Sequence, residues 1–145
     1  MITILAIRAA PGRGQLMRVL VVDDHSGFRR ALVATLNLVS DVEVVAEAAD
    51  GQGAYEEAIS KSPDVVLMDL SMPGVSGTEA MRRIHRKLPD LPVIILTAHA
   101  DPALEREAMA AGARGFIAKG GGLQELVDAI TDVARVEADE ATNGA

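Results

Sequence analysis

The feature that most constrains the fold of this chain is a repeated alternation between short aliphatic runs and segments with helical periodicity. Five runs have the length and composition of strands: Arg18 to Val22, Val42 to Glu47, Asp64 to Asp69, Pro92 to Thr97 and Gly115 to Lys119. A segment with apolar residues at helical spacing follows each run. Because neighbouring parallel strands need a crossover, five such units predict a parallel α/β sheet with helices on both faces.

The helical segments show one-sided apolar patterns. After the first strand, Phe28, Leu32 and Leu36 fall on one helical face, and Ser26 is the predicted N-cap. The second strand contains Glu43 and Glu47, which indicates an edge position. Four further helices are predicted near Gly51 to Ser60, Gly77 to Leu88, Pro102 to Ala111 and Leu123 to Ala134.

Length and composition narrow the class of protein. A chain of 145 residues is long enough for one core, and the absence of cysteine excludes disulfides, thiol catalysis and cysteine-ligated zinc. The net charge of −7 argues against direct nucleic-acid binding by the chain as a whole and favours a protein or cationic partner. The apolar run from Ile2 to Ile7 is too short to span a membrane and lacks the pattern of a signal peptide. We therefore expect a cytoplasmic protein without membrane contact.

The two ends differ in composition from the middle. Residues 8–15 are polar and rich in glycine, so residues 1–16 are predicted to be a loose extension. Residues 17–136 are predicted to form the folded domain. Residues 137–145 are acidic and aperiodic, which predicts a flexible tail.

Polar side chains stand where the predicted strands end. The first strand is followed by Asp23 and Asp24, the third ends at Asp69, the fourth at Thr97 and the fifth at Lys119. Because ligands of open parallel sheets bind beyond the carboxyl ends of the strands, these five side chains are predicted to share one site.

This set of residue types suits one kind of chemistry. Three converging carboxylates repel one another and need a cation, and oxygen-only ligands favour Mg²⁺. A carboxylate can also act as a nucleophile and form an acyl phosphate. A hydroxyl from Thr97 and the charge of Lys119 would then stabilise the oxygens of the incoming phosphoryl group. The residues therefore indicate magnesium-dependent phosphorylation of an aspartate.

Four stretches carry a resemblance to a known family. The sequences VVDDHSGFRRAL, LMDLSMPGVSGTEA, VIILTAHAD and GARGFIAKG resemble the receiver domain of bacterial two-component response regulators, in order and spacing, over about Met17 to Val136. They are similar to the branch whose receivers precede a helix-turn-helix output domain. The resemblance implies a doubly wound, flavodoxin-like fold with five parallel strands in the order 2-1-3-4-5.

The resemblance also implies roles for individual residues. Asp69 matches the phosphoacceptor, and Asp23 and Asp24 match the acidic pair that binds Mg²⁺ together with Asp69. The backbone carbonyl of Ser71 matches the remaining protein ligand of the metal.

Three further positions match the family's switching apparatus. Thr97 matches the hydroxyl that binds the phosphoryl group, Lys119 its cationic partner, and Phe116 the switch aromatic that moves inward with Thr97. Gly120 departs from the family, which commonly has a proline there, often after a cis bond. A non-proline cis bond costs about 3 kcal/mol, so the Lys119 to Gly120 bond is predicted to be trans.

The expected function is therefore a signalling switch. Asp69 would accept a phosphoryl group from a sensor histidine kinase or a phosphotransfer protein, and the change would alter protein contacts. Catalysis would be confined to the chain's own phosphorylation and dephosphorylation, so it is not expected to be a turnover enzyme. A homodimer is a further partner that the family allows.

Three alternatives remain open from the residues, of which one is a receiver that has lost phosphorylation and serves only as an interaction domain, although the complete set of five site residues argues against it. Because no helical pair with a basic recognition helix follows the fifth helix, we expect a stand-alone receiver, the alternative being the receiver part of a DNA-binding transcriptional regulator. A phosphohydrolase with an aspartyl nucleophile is the third alternative. The haloacid-dehalogenase pattern of that class has its nucleophile at the first strand end, whereas the isolated acid here is on the third.

Overall fold

A computed structural model describes residues 2–4 and 16–130 as one mixed sheet covered by helices. The strands are β1 (Ile2–Ile4), β2 (Met17–Val22), β3 (Val42–Ala48), β4 (Val65–Asp69), β5 (Val93–Thr97) and β6 (Gly115–Ala118). The helices are α1 (Ser26–Leu36), α2 (Gly51–Lys61), α3 (Gly77–His85) and α4 (Pro102–Ala110). A fifth helix, α5, begins at Leu123 and is described as far as Ile130.

The sheet has the predicted topology. The order is β1-β6-β5-β4-β2-β3, and the strands from β2 to β6 are parallel to their neighbours. Counted among these five alone, the order is 2-1-3-4-5, which confirms the expected doubly wound fold. The strand with Glu43 and Glu47 is at the edge, as its charges indicated.

The first strand differs from the expectation. Residues 1–16 were predicted to be a loose extension, but Ile2–Ile4 pairs antiparallel with β6 and places Thr3 opposite Phe116. The physical reason is that β6 would otherwise expose a row of unpaired backbone groups, which a short β-branched segment can satisfy. Residues 1 and 5–15, the predicted tail 137–145 and the predicted domain end at 136 lie outside the described residues.

Apolar side chains form one cluster on each face of the sheet. One cluster is built with α2, α3 and α4 and includes Met81, Ile84 and Phe116; the other lies against α1 and α5 and includes Leu32 and Leu36. Every residue of β4 and β5 is buried, as their continuous aliphatic sequence predicts for central strands. This two-sided burial fixes the ends of the strands rigidly in place.

Two local predictions need correction, and one is confirmed. His25, not Ser26, is the N-cap residue of α1, and no side chain caps this helix. Its turn is instead held by Asp23, whose Oδ1 accepts a hydrogen bond from the His25 N–H at 2.8 Å. The third helix ends at His85 instead of Leu88. The Nε2 atom of the His85 ring lies 2.9 Å from the carbonyl oxygen of Leu91. The described residues contain no cis peptide bond, so the bond after Lys119 is trans as predicted.

Candidate functional site

The predicted site residues meet at the carboxyl edge of the sheet. Asp23 directly follows β2, and Asp69 is the last residue of β4, the strand that pairs with β2. The side chain of Asp23 is fully buried, and Asp69 is 3% exposed. Burying two carboxylates is energetically unfavourable unless each is paired with a cation or binds a metal.

Lys119 lies between the two buried acids. Its Nζ is 2.6 Å from Asp23 Oδ2 and 3.4 Å from Asp69 Oδ1. The same ammonium group lies 4.4 Å from the ring centroid of Phe28, within the range of a cation–π contact. In this structure the lysine is therefore paired more closely with Asp23 than with the predicted phosphoacceptor.

The ionisation of Asp69 reflects its surroundings. Burial raises the pKa of this carboxyl from 3.8 to about 6, although the charge of Lys119 acts in the opposite direction. The negative charge of Asp23 and a hydrogen bond with Asp24 contribute to the same rise in pKa. A carboxyl with this pKa is still mostly ionised at neutral pH, as a nucleophile must be.

The acidic cluster fits a hard cation. Asp23, Asp24, His25 and Asp69 each offer one ligand atom, and these atoms lie within 4.8 Å of one another. Asp24 Oδ1 is buried and accepts no hydrogen bond within the described residues, although His25 Nδ1 lies 3.3 Å away. An orphaned buried carboxylate oxygen is what a bound cation would satisfy, and the oxygen ligands suit Mg²⁺.

Thr97 ends β5 and Phe116 lies on the neighbouring strand β6, and the Thr97 hydroxyl and the Phe116 ring are each already engaged. The Thr97 hydroxyl donates a hydrogen bond to the carbonyl oxygen of His99 at 3.0 Å and accepts one from its N–H at 3.2 Å. Phe116 is fully buried in the apolar cluster that includes side chains of α4. The predicted role of Thr97 therefore requires its hydroxyl to leave His99. The inward movement predicted for Phe116 is not needed, because its ring is already buried.

The predicted metal ligand Ser71 follows Asp69 by two residues in the loop after β4. Its side chain is exposed, in contrast to the acids. The loop is held by the Gly77 N–H, which donates to the carbonyl oxygen of Leu70 at 2.9 Å. The role of the Ser71 carbonyl stays a prediction.

Two residues that shape the site were not identified from the sequence. The guanidinium of Arg29 donates to the Asp23 carbonyl oxygen at 2.6 Å and pairs with Glu47 at 3.2 Å, so α1 holds the end of β2. Gly77, at the start of α3, packs against the backbone carbonyl of Asp69 so closely that a Cβ would overlap it. The only sequence signal for this close approach is the glycine that directly follows the N-cap Ser76, because glycine lets another backbone come close.

Substituting Gly77 with alanine is expected to lower the free energy of unfolding by about 1 to 3 kcal/mol, because the methyl group overlaps rigid backbone. Urea denaturation measures this change. Gly27→Ala is the matched control, since a Cβ there meets nothing within 4 Å and alanine favours its helix. If both variants were at least as stable as the parent, the close approach of α3 to Asp69 would be wrong.

The chain has extensive similarity to known proteins. The response regulator receiver domain family matches residues 19–131. Response regulator UvrY of Escherichia coli is 42% identical over 118 residues, which are 81% of this chain and 54% of UvrY. The chain therefore spans about half the length of this relative.

Solved structures agree with the sequence comparison. The signal receiver domain of NarL from Mycobacterium tuberculosis superposes with a TM-score of 0.76 at 37% identity, covering 83% of this chain and 98% of that one. A DNA-binding response regulator of the LuxR family from Staphylococcus aureus gives a TM-score of 0.74 at 28% identity, over 82% and 99% of the two chains. Within the described residues, no helix combines the length and apolar character needed to cross a membrane.

Proposed function

Because the chain belongs to the response regulator receiver family of two-component signalling, we propose that Asp69 is its phosphoacceptor. The observation that carries this proposal is the arrangement of a buried carboxylate, a second buried carboxylate and a lysine at one edge of the sheet. Lys119 Nζ contacts both Asp23 and Asp69, so its charge stands beside the carboxylate that would attack phosphorus.

The proposed step is a phosphoryl transfer from a donor histidine. An Asp69 carboxylate oxygen forms a bond to phosphorus while the bond between phosphorus and the donor nitrogen breaks, and the electron pair leaves with the imidazole. Lys119 would neutralise a phosphoryl oxygen, and Thr97 would donate a hydrogen bond to another after releasing His99.

We propose Mg²⁺ as the cofactor of this site. Asp23, Asp24 and Asp69 would hold it with the backbone carbonyl of Ser71, and the buried Asp24 Oδ1 that accepts no hydrogen bond supports this assignment. When bound, the ion would offset the charge that develops on the phosphoryl oxygens.

The proposed switch is the exchange of hydrogen bonds at Thr97. In the described conformation the hydroxyl holds the loop after β5 through His99, and a phosphoryl group on Asp69 would compete for it. Release of that loop would alter the neighbouring surface of α4, against which Phe116 packs. Proteins that bind this surface would then discriminate between the two states.

Labelling with acetyl phosphate and Mg²⁺ tests the proposed function. Intact mass is expected to rise by one phosphoryl group per chain, and hydroxylamine should remove the label because it cleaves acyl phosphates. Addition of EDTA should prevent labelling. A label that resists hydroxylamine, or one that forms equally well with EDTA, would contradict the proposal.

The same experiment separates a receiver from a phosphohydrolase. A phosphohydrolase would release phosphate over many turnovers, whereas a receiver should accumulate one stable label on a short timescale. The receiver part of a DNA-binding regulator is the second candidate function, because the chain spans 54% of UvrY and one structural neighbour is described as DNA-binding. In that case phosphorylation would act on a separate output domain.

A further inference from the structure

The side chains of the basic run at the end of α3 point to different surroundings. The sequence from Arg82 to Lys87 contains four Arg or Lys residues and one histidine, which the net charge of −7 makes unusual for this chain. His85 turns inward and contacts the carbonyl of Leu91. Arg83, Arg86 and Lys87 instead line a concavity between α2 and α3.

We call this concavity the basic groove and define it by its five lining residues: Gln52, Tyr55, Arg83, Arg86 and Lys87. Its volume is about 280 Å³, and no carboxylate belongs to its lining within the described residues. Arg83 Nε lies 3.5 Å from Glu79 Oε1, a carboxylate outside the lining. Three basic residues therefore border one small space, and two acids lie beside its lining: Glu79 next to Arg83, and Glu56, whose Oε1 accepts a hydrogen bond from Gln52 Nε2 at 3.0 Å.

The C-terminal charge of a helix dipole explains part of this pattern. The dipole stabilises cations in the last turn of a helix wherever on its circumference they lie, and of the groove residues only Arg83 belongs to the last turn of α3. The dipole gives no reason for Arg86 and Lys87, which follow the helix, to border the same concavity, or for an aromatic and an amide side chain to complete it. A grouping of three basic residues around one concavity instead resembles an anion site, since arginine forks match phosphate oxygens.

We propose that the basic groove binds a small phosphate ester, with the phosphate between Arg83, Arg86 and Lys87 and the organic part against Tyr55. The small volume favours a single small molecule over a macromolecular segment. The groove is separate from the acidic cluster, because α3 begins beside Asp69 and its nine residues extend about 13 Å away from it.

The test is a titration of the full chain followed by NMR, with EDTA present so that no metal can carry phosphate to Asp69. The probes are adenosine 5′-monophosphate, ribose 5-phosphate and adenosine. Both phosphate esters are expected to shift the side-chain Nε signals of Arg83 and Arg86 in the millimolar range, whereas adenosine should not. A stronger shift with adenosine 5′-monophosphate than with ribose 5-phosphate would show that the base contributes, as stacking on Tyr55 requires.

Matched variants locate the site. Joint substitution of Arg86→Gln and Lys87→Gln is expected to weaken binding by about tenfold or more, because charge-assisted hydrogen bonds are lost. Arg30→Gln, which removes an exposed charge from α1 on the other face of the sheet, should change the affinity less than about twofold. Circular dichroism confirms that the variants are folded.

Three outcomes would overturn the proposal. The first is no shift up to about 10 mM of either phosphate ester. The second is an equal shift with sodium chloride at matched ionic strength, which would indicate screening alone. The third is a shift that only an acidic peptide produces, which would assign the groove to a protein partner.

Discussion

Replacing Asp69 with asparagine is expected to abolish phosphoryl labelling and, in the metal-free chain, to raise the free energy of unfolding by about 1 to 3 kcal/mol. The loss of labelling follows because an amide cannot act as the nucleophile. The gain in stability follows because burial and the neighbouring Asp23 make the Asp69 charge unfavourable in the folded state. Function and stability should therefore change in opposite directions at one position.

The gain should depend on pH in a defined way. The pKa of Asp69 is about 6 in the folded chain and 3.8 for an ordinary aspartate, so the folded state binds the proton more tightly. An acid of this kind destabilises the fold fully above pH 6 and not at all below its ordinary pKa. The stabilisation by Asp69→Asn should thus be complete at pH 7 to 8 and disappear as the pH falls from about 6 to about 4.

Urea denaturation with EDTA across this pH range measures the effect, and intact mass measures the labelling. Glu43→Gln is the matched control, because it removes an exposed carboxylate from the edge strand β3. That control should keep full labelling and change the stability by less than about 0.5 kcal/mol. Unchanged labelling of Asp69→Asn would refute the assignment of the nucleophile, and a loss of stability at pH 7 would refute the account of its charge.

The sequence predicts the site well where the chemistry depends on strand ends. Asp23, Asp69 and Lys119 meet as expected, because aliphatic strands buried on both faces have no alternative register. The order of the sheet needed the family resemblance, since periodicity alone does not say which strands are neighbours.

What the sequence did not predict depends on long-range contacts. Pairing of Ile2–Ile4 with β6 joins residues more than 100 positions apart, and no local sequence pattern predicts it. The contact of Arg29 with the Asp23 carbonyl and the approach of Gly77 to Asp69 likewise arise only when α1 and α3 pack on the sheet. The basic run from Arg82 to Lys87 has the spacing of a solvated helix face, and that spacing does not reveal that α2 lies opposite.

Replacing Lys119 with methionine is expected to lower the free energy of unfolding of the metal-free chain by about 3 kcal/mol. The lysine is the only cation that the described residues place against both Asp23 and Asp69, and Asp23 has no exposure to solvent. Methionine keeps most of the length of the side chain and its packing near Phe28. The cost is therefore mainly that of leaving buried carboxylates without their counter-charge.

Magnesium should reverse much of this loss, which distinguishes a charge effect from a packing defect. An ion held by the three carboxylates would supply the missing positive charge and would stabilise the folded state by mass action. Denaturation of Lys119→Met with EDTA and with Mg²⁺ measures the difference, and Lys61→Met, at an exposed lysine of α2, is the control. A loss that Mg²⁺ leaves unchanged would mean that Lys119 acts through packing, and the electrostatic account of the site would fail. A loss that Mg²⁺ largely removes would show that lysine and metal balance the same buried acids, so that metal binding and the position of Lys119 are coupled before any phosphoryl group arrives.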